Sequence, residues 1–150
     1  MSFRAKHNGK LIMNKKIVLI SCVSKKLSYP AKARDIYIST LFKLNLKYAT
    51  TIKADKIFIL SAKYGLLELD KVIKPYNVTL NNMRVNDIKE WAASIVVQID
   101  NRCDIENDTF VLLAGTKYRK YLLPYIKHYE IPLKGLRIGE QLKRLKELTL

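Results

Sequence analysis

Ile17-Val18-Leu19-Ile20-Ser21-Cys22, Ile57-Phe58-Ile59-Leu60-Ser61-Ala62 and Phe110-Val111-Leu112-Leu113-Ala114-Gly115 share one shape. Each is an unbroken apolar run, rich in branched or aromatic residues, that ends in small ones. A strand buried on both faces needs such a run, with no polar alternation, and strands of that kind lie inside parallel sheets. Around these runs, apolar residues recur at helical spacing. The recurring sets are Ile36, Leu41, Phe42, Leu44 and Tyr48 within 35–48, and Ile88, Trp91, Ala92, Ile95 and Ile99 within 87–99. Tyr121, Leu122, Tyr125 and Ile126 within 117–128, and Leu142, Leu145 and Leu148 within 138–148, continue the pattern. Strands alternating with helices predict an α/β fold: a single domain with a short, mostly parallel sheet and helices on both faces. The segment 72–80 holds Pro75 and predicts an irregular loop or short edge strand.

Outward from these elements, residues 1–15 carry Arg4, Lys6, Lys10 and Lys15 without a clear period, and read as a basic flexible arm. Residues 16–150 form the single α/β domain. A chain of 150 residues is of ordinary domain size and buries enough surface to fold without a disulfide or zinc staple. Cys22 and Cys103 lie far apart, and His7 and His128 have no spaced partners, so neither a disulfide framework nor a metal-ligand set is present. No metal and no cofactor are expected. This cysteine usage fits a reducing, cytoplasmic setting. No apolar run reaches the ~20 residues of a membrane helix, and no secretory signal is visible.

The charge narrows the partners. Lys and Arg number 28 against 13 Asp and Glu, a net charge of +15. That excess favours a polyanion, nucleic acid first. A membrane ranks well behind, since no basic helix carries a bulky apolar face. The same excess also fits a lysine-rich, solubilising surface.

Ligands of open parallel sheets collect beyond the carboxyl ends of the strands. There the first run continues into Ser21, Cys22, Ser24, Lys25 and Lys26, the second into Ser61, Lys63, Tyr64 and Gly65, and the third into Gly115, Thr116, Lys117, Tyr118 and Arg119. If the strands are parallel, these loops converge on one pocket. Small residues let a phosphate approach backbone amides, cations neutralise it, and a tyrosine face stacks on a base. Cys22, at a strand end beside Lys25 and Lys26, is a candidate nucleophile. A cysteine closing a buried strand also serves simply as a small hydrophobe. Carboxylates are scarce near the predicted pocket. Asp104, Glu106 and Asp108 fall at the opposite, amino end and read as solvated; Asp35 reads as a helix-start residue; Glu68, Asp70 and Glu140 are nearer. Cys103 reads as a surface-loop residue and Trp91 as part of a helix's apolar face.

Several blocks together carry a resemblance: S-C-V-S-K-K (21–26), P-A-K-A-R-D-I-Y-I-S-T-L-F (30–42), L-S-A-K-Y-G-L (60–66), P-Y-N-V-T-L (75–80), Trp91, A-G-T-K-Y-R (114–119) and P-L-K-G-L-R-I-G (132–139). The chain resembles an uncharacterised family of small bacterial and phage proteins and is similar to the broader YaaA-like group. The loop after the first strand also resembles one in archaeosine synthase, more distantly. The resemblance implies DNA binding and chemistry on a modified base, in which a nucleophile adds to its nitrile. The positions it carries over are Ser21, Cys22, Lys26, Tyr37, Ser39, Ser61, Lys63, Tyr64, Gly65, Pro75 and Tyr76. Asn77 departs from it, standing where the resemblance expects an acidic residue. The group's separate DNA-binding insertion has no counterpart of comparable length here.

The leading expectation is a protein that acts on a base or nucleotide within nucleic acid. Lys25, Lys26, Lys117 and Arg119 would hold phosphates, Tyr64, Tyr76 or Tyr118 would stack the base, and Cys22 and Lys63 are the candidate catalytic groups. Ser21, Tyr37, Ser39, Ser61, Gly65 and Gly115 complete the expected binding set. Glycosidic cleavage, base modification and nitrile addition all stay open. Two rival expectations are a DNA- or RNA-binding module without catalysis, and a free-nucleotide binder or phage effector.

Overall fold

The computed structural model describes residues 3–7 and 10–150. Of the stretch read as a flexible arm, residues 1, 2, 8 and 9 lie outside the described residues. Strands β1 (Phe3–His7) and β2 (Lys10–Met13) pair antiparallel with each other.

The three apolar runs form β3 (Lys16–Ser21), β5 (Lys56–Ser61) and β8 (Thr109–Leu113). They are the inner strands of a five-stranded sheet, flanked by β6 (Gly65–Glu68) and β9 (His128–Glu130), in the order β6-β5-β3-β8-β9. Strands β3, β5, β8 and β9 run parallel, while β6 returns antiparallel from β5. The domain is therefore α/β with a mostly parallel sheet. Ile17, Val18, Leu19 and Ile20 of the central strand are all fully buried. Each such side chain contributes roughly 1.5–3 kcal/mol by leaving water.

Helix α2 (Thr40–Thr51) carries the chain from β3 to β5, and α3 (Val85–Arg102) carries it back past β3 to β8. These crossovers run in opposite directions across the sheet, so right-handed connections put the two helices on opposite faces. Helix α5 (Ile138–Leu148) packs against α2, and the one-turn α4 (Thr116–Arg119) packs against α3. The strands β4 (Ala31–Lys32) and β7 (Val72–Ile73) pair antiparallel beside the one-turn α1 (Ala33–Ile36).

Two helices differ from the periodicity. The expected helix over 35–48 is divided into α1 and α2, because the chain between them pairs with the loop after β3. Lys26 bridges Tyr37, and the Ile38 amide donates to Lys25 O at 3.1 Å. Ser39 Oγ then restarts the helix by accepting from Phe42 N at 3.1 Å. The expected helix over 117–128 ends after one turn. After it the Leu122 amide turns to Arg119 O, and the chain passes through a 3-10 turn at Leu123–Tyr125, which contains Pro124, into β9. In the last helix Leu145 is fully buried, Leu142 half-buried and Leu148 exposed. No described helix is long and apolar enough to cross a membrane.

Candidate functional site

The parallel register brings the carboxyl ends of β3 and β8 side by side, and a cleft of about 510 Å³ opens beyond them. Its floor and walls include Ser21, Cys22 and Lys26 from the first loop, and Gly115, Lys117 and Tyr118 from the third. These are six of the predicted site residues. Sequence reasoning singled out position 77 only through the resemblance and did not foresee the rest of its wall: Asn77 and Thr79 precede the 3-10 turn Leu80–Asn82, and Asn81 lies within it. Nor did it foresee Leu41 of α2 and Ile138 and Gln141 of α5. The P-Y-N-V-T-L block was the available signal for the wall.

Cys22 Sγ lies 3.3 Å from Tyr118 Oη. The Leu80 amide donates to that phenol oxygen at 3.5 Å. Burial pushes the Tyr118 phenol up to about 12, and the adjacent Cys22 adds to the rise. Tyr118 therefore stays a neutral donor across the physiological range. Its ring packs edge-on against Trp91 at 5.5 Å between centroids. Trp91 is half-buried and donates from Nε1 to Ser61 O at 2.9 Å, which ties α3 to the end of β5.

Behind the cleft runs a buried hydroxyl chain. Tyr37 Oη lies 2.5 Å from Tyr76 Oη, which lies 2.8 Å from Ser61 Oγ. Ser61 Oγ also accepts the amides of Lys63 and Tyr64, shaping the turn after β5. Burial raises both phenols above the ordinary tyrosine range. The Lys26 ammonium stands 4.3 Å from the centre of the Tyr76 ring and donates to Ser24 O. Burial lowers its pKa. Tyr37 and Tyr76 thus form the rigid backing that fixes Lys26 at the cleft wall.

The remaining predicted residues take other places. Lys63, Tyr64 and Lys25 are not among the residues lining the cleft. Lys63 lies over the Tyr64 ring, whose edge packs on Tyr76, and Tyr64 Oη donates to Lys74 O. Ser39 caps α2. Gly65 starts β6 at φ +75°, where an added Cβ would meet the Gln98 side-chain amide at 2.8 Å. Arg119 donates to Ala114 O at 2.7 Å and lines a smaller recess adjoining the cleft. Helix α4 is a single turn whose Tyr118 and Arg119 amides both donate to Gly115 O, so the loop after β8 offers no long helix for a phosphate to cap.

The acidic residues need two corrections. Asp108 is not solvated: it is 3% exposed, and it accepts the Lys15 amide at 3.0 Å and the Asp104 amide at 2.9 Å. Backbone amides that need an acceptor at the start of β8 draw it inward. Asp35 lies in the first turn of α1, at a helix start as expected, but its side chain does not cap the helix. Glu140 accepts the Arg137 amide and caps α5, while Asp70 pairs with Arg34 and Lys32. No carboxylate lines the cleft. Cys103 is half-buried, and burial raises its thiol. Among the described residues, no three His, Cys, Asp or Glu side chains gather as a metal site would require.

Fold and site together define an α/β domain with a thiol and two lysines in a cleft at the carboxyl ends of its parallel strands. Residues 17–147 match the model of a family of unknown function, DUF6884, and the chain belongs to that family. No curated protein and no solved structure matches the chain.

Proposed function

We propose that the protein binds nucleic acid through its basic surface and draws one nucleotide into the cleft, where it acts on the base. The observation that carries this reading is the lining of the cleft: Lys26 and Lys117 together with Cys22 and Tyr118, and no carboxylate among the described lining residues to oppose a phosphate. The two ammonium groups supply the charge for phosphate, and the Cys22 thiol, beside the Tyr118 hydroxyl, is the nucleophile. A nucleotide within a duplex must first be flipped out, so single-stranded or damaged targets cost less. The net charge of +15 and the motif likeness to the YaaA-like group support the same reading, in a reducing, cytoplasmic setting.

The test is binding to single-stranded DNA, duplex DNA and tRNA at two salt concentrations, followed by nucleoside mass spectrometry of the bound strand. The expected result is affinity that falls steeply with salt, and an altered or released base that disappears with Cys22→Ser. Lys63→Ala probes the other candidate group, which stands outside the cleft lining. If both variants fold and leave turnover intact, the catalytic reading fails. No binding at low salt would sink the nucleic-acid reading itself.

One observation favours a second reading, a binding module without catalysis. Asn77 lines the cleft where the motif resemblance expects an acid, so the cleft lacks a carboxylate base. This reading predicts the same salt dependence with no product.

A further inference from the structure

Two of the tyrosines expected to stack a base, Tyr76 and Tyr118, are each 7% exposed, too little to offer a ring face. The third, Tyr64, stands outside the cleft lining. Exposed rings follow instead in the segment that leads away from the cleft. Residues 117–129 hold Lys117, Arg119, Lys120 and Lys127 with Tyr118, Tyr121, Tyr125 and Tyr129, and no carboxylate. Tyr125 is 59% and Tyr129 45% exposed, and Tyr121 is half-buried. Leu122 and Ile126 are buried, so the segment is anchored through its aliphatic side chains and turns tyrosines and lysines outward.

These rings share one face of the sheet. The step from β8 to β9 runs in the same direction across the sheet as the α3 crossover, so a right-handed connection lies on the α3 face. There the ammonium groups of Lys89, on α3, and Lys120 each stand 5.5 Å from the centre of the Tyr121 ring. Lys56, Ile17, Phe110 and Tyr129 form one row across the parallel strands, and such a row points to one face. Lys56 reaches the Arg102 carbonyl at the end of α3, so Tyr129 projects to the α3 face and the next residue, Glu130, to the other. Helix α3 presents both signs beside the strip, Lys89 with Asp87 and Glu90, all exposed, so the excess of positive charge belongs to the segment itself. The strip begins at Lys117 and Tyr118 in the cleft lining and ends on β9, the outer strand. Phe110, the register partner of Tyr129, precedes Gly115 by five residues, a run of roughly 17 Å along the strand.

We propose that this strip is a track for single-stranded nucleic acid. The strand whose nucleotide enters the cleft continues along it, with bases stacking on Tyr121, Tyr125 and Tyr129 and phosphates meeting Lys120 and Lys127. Every base has a face to stack, so the track is tolerant of sequence, whereas a duplex keeps its base faces covered. The proposal rests on the reading of the protein as a nucleic-acid binder and adds where the strand runs and that it is single.

Fluorescence anisotropy tests it with a labelled oligothymidylate of about 12 nucleotides and a duplex of the same length, at two salt concentrations. The full chain is used as wild type, as Tyr125→Ala/Tyr129→Ala and as Tyr125→Phe/Tyr129→Phe. The wild type should bind the single strand more tightly than the duplex. The alanine pair should weaken that binding by about 5-fold or more for each ring removed, with the salt slope unchanged because no charge is lost. The phenylalanine pair, which keeps the ring faces, should bind within about twofold of the wild type. Should the alanine pair fail to fold, Tyr125→Ala alone carries the comparison. An alanine variant that binds as the wild type does, or a preference for the duplex, would overturn the track and leave the nucleic-acid reading standing. A wild type that sediments as a dimer and an alanine pair that sediments as a monomer would make the strip an interface between copies and overturn it too. Absence of binding to either DNA at low salt would overturn both.

Discussion

The two ends of the same parallel strands use their polar residues in opposite ways. At the amino end, carboxylates tie the backbone together. Asp108 accepts two amides, Asp55 accepts the Lys16 amide at 2.8 Å, and Lys56 Nζ donates to Arg102 O at 2.6 Å. At the carboxyl end the polar groups are a thiol, hydroxyls, amides and lysines around an open cleft, with no carboxylate. Scarce acidic residues serve as structural caps at one end, and cations are left unneutralised at the other. A cluster of acids in sequence is therefore no guide here to acid–base chemistry.

The sharpest way to break this contrast is to remove an amino-end cap. Asp108→Ala strands two amides in a buried site and should cost about 3 kcal/mol of stability. Urea denaturation at neutral pH measures it, and nucleic-acid affinity per folded molecule should not change. A loss of affinity with no loss of stability would reverse the roles assigned to the two ends.

Next in size is Gly65→Ala, at the turn beyond β5. Its φ of +75° disfavours any side chain, and the added Cβ presses on Gln98, whose Oε1 holds the Leu66 amide at 2.9 Å. The expected cost is about 2 kcal/mol. An unchanged denaturation midpoint would show that the turn relaxes freely.

The carboxyl end should also be the alkali-sensitive one. Tyr118 ionises at about 12 when folded but near 10 when unfolded. The unfolded chain therefore releases this proton first, and stability falls as pH rises through that window. Each such proton contributes a slope of about 1.4 kcal/mol per pH unit. Tyr118→Phe should flatten the decline between pH about 10 and 12. Urea titrations across that range, with the same slope in both proteins, would remove Tyr118 as the cause.

The smallest expected effects are on binding. Lys26→Ala and Lys117→Ala should each reduce the log–log salt slope on duplex DNA by about 0.9, if each meets one phosphate. Lys56→Ala, at the amino end, is the control and should leave the slope unchanged. Equal effects at both ends would make the charge a diffuse surface property rather than a feature of the cleft.

Much of this architecture is legible in local pattern. The three apolar runs became the three inner strands because a strand buried on both faces admits no polar residue. The spacing over 138–148 gave α5 with its observed bounds, since one apolar stripe and a carboxylate cap at Glu140 suffice to define it. The chain interrupts its own periodicity where a local rule prevails. After Arg119 the chain tightens into 3-10 bonding where its tyrosines and leucines would continue a helix, and Ser39 opens one that the pattern would have begun earlier.

The candidate site divides along the same line. Ser21, Cys22, Gly115, Lys117 and Tyr118 were accessible to sequence reasoning, because loops after parallel strands must emerge on one side of the sheet. Asn77, Thr79 and Asn81 were not assigned to the site, since a segment without periodicity carries no instruction about what it will face. By itself the sequence determined the three inner strands, α3, α5 and the side of the sheet on which small residues and cations collect, because these follow from periodicity and chain direction, while the flanking strands β6 and β9 left no such pattern. Only the tertiary structure decided that Asp108 turns inward, that Lys63 falls outside the cleft lining and that Asn77, Thr79 and Asn81 face the cleft. Those outcomes depend on which distant groups remain unpaired once the chain has packed.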